Sequence, residues 1–212
     1  MGRLIDLTVG AFDAEVAAAS PAPGGGSAAA LAGSVAAALV AMVCRLSLGR
    51  DDVAAADEEL SAALEQSERL RCLLLELVDE DTAAFEAVMV AVRLPKADAA
   101  QRAARSVALK RATFGAAAVP LETLTAARQT LELAATLAGR ANAGTASDLG
   151  VAVQLARAAG EGAFLNVAIN LLSLPAEDGV DRCRRESQAG IAAVRAAADA
   201  AAATIAGGLG LG

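Results

Sequence analysis

Histidine, tryptophan and tyrosine are missing from this 212-residue chain, and four phenylalanines are its only aromatic residues. Without histidine there is no imidazole base, no imidazole metal ligand and no Ser-His-Asp arrangement. The Glu-x-x-His pattern of di-iron helical bundles cannot form either. Acid–base chemistry must fall to carboxylates, lysine or backbone dipoles. Cys44, Cys72 and Cys183 are odd in number and widely spaced, with no C-x-x-C pair. They read as buried free thiols in a reducing cytoplasm, not as a zinc site. Nucleic-acid binding needs a basic patch and stacking aromatics, whereas here the net charge is −7 with both signs mixed along the chain. Runs of β-branched residues that would read as strands are also absent.

Alanine is what the chain has in quantity. It dominates a hydrophobic share of 56%, and it favours helices that approach one another closely. The expected class is all-α: one domain over residues 1–212, a bundle of six or seven helices, two of them long. The stretch from Pro21 to Cys44 carries no charge. It is rich in Ala and Gly rather than Leu and Ile, opens on a proline loop and ends at Arg45, so it reads as a core helix and not a membrane span. Asp6, Asp13 and Glu15 interrupt the start, and no secretory signal is expected.

The chain is organised around Ser20-Pro21-Ala22-Pro23-Gly24-Gly25-Gly26-Ser27. The prolines bias the backbone away from helix. The glycines permit φ > 0 or a close approach of main chain to another group. Ser27 stands where an N-cap is expected for a helix reaching about Leu48. Two readings stand: a cradle for an anionic or carbonyl-rich ligand at a helix N-terminus, or a tight turn that lets a small-residue helix pack closely. Neither the P-loop spacing nor the dinucleotide fingerprint is present. Gly33, inside that helix, implies close contact with another backbone.

A short helix over about Thr8 to Ala19 precedes this loop, and a long one from Val53 to Val92 follows it. The long helix carries an apolar stripe at spacings of three and four, Leu60, Leu64, Ser67, Leu70 or Arg71, Leu74, Leu77 or Val78, Phe85, Val88 and Val92, with Asp81 on the same line. A carboxylate there is either half of a buried ion pair with Arg or Lys from another helix, or an acid–base group with a raised pKa. Leu94-Pro95-Lys96 breaks the helix. A helix from Asp98 to Val119 and another opened by Pro120 are expected next, the first with Arg102, Arg105, Lys110 and Arg111 on solvated faces. After the loop Gly139–Ala146, Ser147 and Asp148 read as caps of a helix reaching Leu174. That helix places Asn166 and Asn170 one turn apart among apolar neighbours, where each needs a partner: a nearby loop or a ligand. A last helix runs from about Ala176 to Ile205.

Taken in order, these segments resemble the cyclodeaminase/cyclohydrolase family of folate enzymes. The residues that carry the resemblance are Ser20–Ser27, Leu46-Ser47-Leu48-Gly49-Arg50, Asp81-Thr-Ala-Ala-Phe85, Leu94-Pro95-Lys96, Val119-Pro120-Leu121, Asn142 with Ser147-Asp148, and Asn166-Val-Ala-Ile-Asn170. The resemblance implies an all-helical enzyme acting as a homodimer or higher assembly, and the free thiols suit a cytoplasmic one. It implies a tetrahydrofolate substrate in a cleft near the subunit interface and no metal or redox cofactor. It places the acid–base carboxylate on Asp81, and makes Gly24, Gly25, Gly26, Ser27, Lys96, Asp148, Asn166 and Asn170 site-lining residues. Either hydrolysis of 5,10-methenyltetrahydrofolate or cyclisation of 5-formiminotetrahydrofolate would fit. A non-catalytic folate-binding or scaffold module of the same fold is the alternative. Arg50 stands where lysine is expected, and Gly144 where relatives often carry Asn.

Overall fold

The computed structural model describes residues 2–210, and among these there is no strand. Six α-helices follow one another: α1 (Val9–Ala17), α2 (Gly25–Ser47), α3 (Asp57–Val92), α4 (Ala99–Leu137), α5 (Ala146–Leu172) and α6 (Asp178–Gly208). Short 3-10 turns at Leu4–Asp6, Ala54–Ala56 and Ala143–Thr145 lead into three of them.

Helices α2 to α5 form an up-down-up-down bundle in which α2 and α4 each pack against both α3 and α5. The direction of each pair follows from its contacts. Ser27 meets Val78 while Ser34 meets Arg71, so α2 and α3 are antiparallel. A Cβ on Gly25 would meet Asn166, and one on Gly33 would meet Ala159, so α2 and α5 are antiparallel too. Helix α6 lies outside on α4 and α5. Leu60, Leu74, Leu77, Leu124, Leu131, Leu137 and Leu171 are fully buried. Each contributes about 1.5–3 kcal/mol by leaving water, which is how a core forms with almost no aromatic residues.

Small residues set the spacing. At Gly33 an added Cβ would stand 3.1 Å from Leu74 and 3.3 Å from Ala159. The close contact expected at Gly33 is therefore with side chains of two helices, not with backbone. Left-handed backbone occurs at Gly49 (φ 73°) and Gly139 (φ 76°), which end α2 and α4 as C-terminal glycines do.

Three expectations are corrected. Pro120 does not open a helix. It lies buried inside α4, which runs unbroken from Ala99 to Leu137. A proline in a helix interior costs about 3 kcal/mol or more, partly because it cannot donate to the carbonyl four residues back. Here that carbonyl, of Ala116, accepts the Asn170 side-chain amide at 2.7 Å instead. Helix α5 begins at Ala146 with Thr145 as its N-cap residue, so Ser147 and Asp148 lie within its first turn. Cys72 is exposed, while Cys44 and Cys183 are buried. Burial pushes the Cys44 thiol up to about 11 and raises that of Cys183 as well.

Helices α2 and α6 are long and apolar enough to cross a membrane by length and composition. In the fold, α2 is wedged between α3 and α5 with Ala36, Ala37, Val40, Ala41 and Val43 fully buried.

Candidate active site

Helix α2 starts with no side-chain cap of its own. Gly24 is the N-cap residue in extended backbone, and Ser27, expected as the cap, is the third residue of the helix. The capping group comes from another helix. Asp81 of α3 accepts the Ser27 N–H at 2.9 Å and the Ser27 hydroxyl at 3.1 Å, both through Oδ2. The same hydroxyl lies 2.9 Å from the carbonyl of Val78 and 3.3 Å from the Thr82 hydroxyl. A carboxylate on the first turn of a helix meets unpaired N–H groups and the positive end of the dipole.

Gly26 is required by that contact. A Cβ there would fall 2.0 Å from Asp81 Oδ1. The glycine loop thus serves a close approach, and none of Gly24, Gly25 and Gly26 uses φ > 0.

No arginine or lysine among the described residues forms an ion pair with Asp81, so the buried ion-pair reading falls away. Burial pushes the Asp81 carboxyl above its ordinary value, and the two bonds from Ser27 pull it partly back. One oxygen is tied down. The other, Oδ1, has no donor among the described residues and is not fully buried.

Asn166 of α5 completes the ring around the start of α2. Its amide donates to the Gly162 carbonyl at 2.9 Å, and its carboxamide is the first thing a Cβ on Gly25 would meet, at 3.4 Å. Asn170, one turn on, holds the Ala116 carbonyl of α4.

Beyond this point α3 and α4 continue as a two-helix arm. Between them lies an apolar groove of about 970 Å³, running from Leu94 and Ala103 at the tip to Ala84 and Ala116 at the base. Ala84 is one turn from Asp81 on the same helix, so the groove's inner end abuts the polar ring. Its size falls in the range of small-molecule sites. Arg111 is the charged residue that lines it. Arg93, Lys96, Arg102 and Arg105 stand on the same arm, where residues 87–115 hold Asp98 as their one acidic residue, while Lys110 is paired with Glu177 from the turn before α6. Arg102 donates to the Ala97 carbonyl and Arg105 to that of Val92, so both also cap the turn at the tip.

Of the residues expected to line a site, Gly24, Gly25, Gly26, Ser27, Asp81 and Asn166 come together, with Asn170 beside them. Two do not join them within one chain. Lys96 lies in the exposed α3–α4 turn, past the end of α3. From Asp148 to Asn166 is eighteen residues of α5, about 27 Å at 1.5 Å per residue, which puts Asp148 at the opposite end of the bundle. Thr82 was not singled out from the sequence. Its position next to Asp81 on the helix was the available signal.

A desolvated carboxylate at a helix start, next to an apolar groove in a bundle without histidine, defines a class: helical proteins equipped for carboxylate acid–base work on a small molecule. Comparison with known proteins makes this particular. The model of the formiminotransferase-cyclodeaminase family matches residues 8–189. A methenyltetrahydrofolate cyclohydrolase from Methylorubrum extorquens is 40% identical over 167 residues, 79% of this chain and 80% of its own length. The formimidoyltransferase-cyclodeaminase of Rattus norvegicus is 36% identical over 168 residues, but those span only 31% of that longer protein. The crystal structure of a formiminotetrahydrofolate cyclodeaminase from Thermotoga maritima superposes with a TM-score of 0.85 at 26% identity, covering 95% of this chain and 96% of that one. The chain belongs to the formiminotransferase-cyclodeaminase family.

Proposed function

We propose that this chain is a folate one-carbon enzyme that hydrolyses 5,10-methenyltetrahydrofolate to 10-formyltetrahydrofolate. The observation that carries the reading is the asymmetry of Asp81, with Oδ2 fixed on Ser27 and Oδ1 without a donor among the described residues. The methenyl carbon lies between two nitrogens that share a positive charge. Asp81 Oδ1 takes a proton from water as the water oxygen bonds to that carbon. It returns the proton to N5 as the carbon–N5 bond breaks, and the remaining hydroxyl proton leaves as the formyl carbonyl forms. The negative carboxylate also favours the cationic substrate.

Gly24, Gly25, Gly26, Ser27, Asn166 and Asn170 surround the reacting end, and the groove takes the aromatic body of the folate. The basic arm suits its carboxylate end. The match in length and identity to a free-standing cyclohydrolase favours hydrolysis. Cyclisation of 5-formiminotetrahydrofolate, with the same carboxylate protonating the departing ammonia, is the second reading, supported by the structural relative. The enzyme works in the cytoplasm without metal or redox cofactor, and with no nucleic-acid or membrane partner. It assembles as a homodimer or higher. Support for assembly comes from Leu165, Ile169 and Leu172 on one side of α5, which are 62–76% exposed.

Loss of methenyltetrahydrofolate absorbance with purified protein, and its appearance from the formimino compound, tests the proposal. Decay well above the spontaneous rate is the expected result. Folded protein silent in both assays would instead mark a folate-binding or scaffold module.

A further inference from the structure

The carbonyl that Asn170 holds, that of Ala116, stands four residues before Pro120 on α4. In an unbroken helix the Ala116 carbonyl would accept the N–H of residue 120. Residue 120 is proline and has no N–H, so the carbonyl is left over inside the bundle. Asn170 Nδ2 donates to it at 2.7 Å. A carbonyl accepts and never donates, so this contact settles which end of the carboxamide faces α4. Oδ1 is left as the group turned away from that carbonyl. It has no donor among the described residues, and it is not fully buried. Ala116, the residue that is gripped, lines the inner end of the apolar groove.

We infer that Pro120 is a positioning residue for substrate binding: by withholding its N–H it makes Ala116 lock Asn170, with Oδ1 oriented as an acceptor for an N–H donor of the bound molecule. The inference rests on the folate reading of the groove, and the matching donors are the ring N–H and amino groups of a pterin. Two otherwise separate features of the sequence, a proline in mid-helix and a polar side chain on an apolar helix, are thus one device. The helix-breaking cost is matched by an amide that cannot flip.

Pro120→Ala restores the ladder bond to Ala116 and frees the Asn170 amide to turn. Helix propensity improves at the same time, so the melting temperature holds or rises. The expected result is that KM for the folate substrate, and Kd for tetrahydrofolate by calorimetry, rise about three- to tenfold with kcat little changed, the equivalent of one neutral hydrogen bond. The protected Asn170 side-chain NH2 signal in NMR exchanges faster. Asn170→Ala gives a similar rise in KM, and adding Pro120→Ala to it produces no further rise. A purely structural role predicts no change in KM or Kd in Pro120→Ala, and that outcome overturns the inference while leaving turnover by the unaltered chain intact. Additive effects in the double variant overturn it as well. If the unaltered chain neither binds nor converts the folate, the functional reading falls and this inference with it. If it binds without turnover, the Kd comparison alone decides.

Discussion

Where α2 stops and α5 begins, Asn142 uses every hydrogen-bonding group it has inside the chain. Its N–H donates to Ser47 Oγ at 2.8 Å and its amide to the Leu46 carbonyl at 3.3 Å. Its side-chain oxygen accepts the Gly144 N–H at 2.9 Å, and its carbonyl takes both the N–H and the hydroxyl of Thr145. Around the other end of α2 and α5, Asp81 of α3 and Asn166 and Asn170 of α5 are each anchored by one bonded group and leave an oxygen without a donor among the described residues. Polar residues of similar type, at opposite ends of α2 and α5, are thus bonded to different degrees. A cluster saturated from within pins a loop, whereas one with oriented, unused acceptors is what the proposed folate site would need.

The sharpest way to break that contrast is Asp81→Asn. It keeps an acceptor for Ser27 but removes the base, so turnover falls by about 100-fold or more while circular dichroism and melting temperature stay near the parent values. The pH profile carries the same information. Activity of the parent declines as pH falls through the pKa of Asp81, which burial raises above the ordinary aspartate value. Stability runs the other way. The folded chain holds this proton more tightly than the unfolded chain does, so the contribution of Asp81 to stability falls as pH rises from the unfolded to the folded pKa. Asp81→Asn removes that slope, and denaturant melts of both proteins across acidic pH check it.

Gly26→Ala comes next in size. The new methyl group would displace the carboxylate from its seat 2.0 Å away. The expected cost is about 1–3 kcal/mol of stability together with at least a tenfold loss of activity. Replacement at the saturated end does the reverse: Asn142→Ala lowers stability by about 1–3 kcal/mol, read from urea melts, and leaves KM and kcat nearly unchanged in the protein that remains folded. The smallest effect concerns the thiols. A disulfide reagent at neutral pH modifies exposed Cys72 quickly while buried Cys44 and Cys183 stay unreacted, and activity is retained.

Much of this was legible in the sequence. Alanine and the missing strand formers pointed to an all-α chain, and the three- and four-residue spacing placed Asp81 on the inner line of a long helix. What that spacing could not reveal was the partner. A stripe says which way a side chain faces, not which helix start lies opposite, so Ser27 read as a cap when it is the capped residue. Pro120 read as a helix start for a similar reason: local rules price a proline by its own helix, and the compensating amide lies fifty residues away on α5. Asp148 follows the loop signals of a helix beginning, and only the antiparallel pairing of α2 and α5 shows that this beginning is remote from the glycine loop.

Asp81 and Gly26 also have a consequence for reading descendants of this fold. Because the α2 helix starts on a borrowed cap, selection for folding alone would keep an acceptor at position 81 and a bare backbone at position 26, even in a lineage that had abandoned the reaction. Asparagine would satisfy the first demand as well as aspartate. The pair would therefore persist with the fold, while under the proposed mechanism acid rather than amide at position 81 is what the reaction would keep.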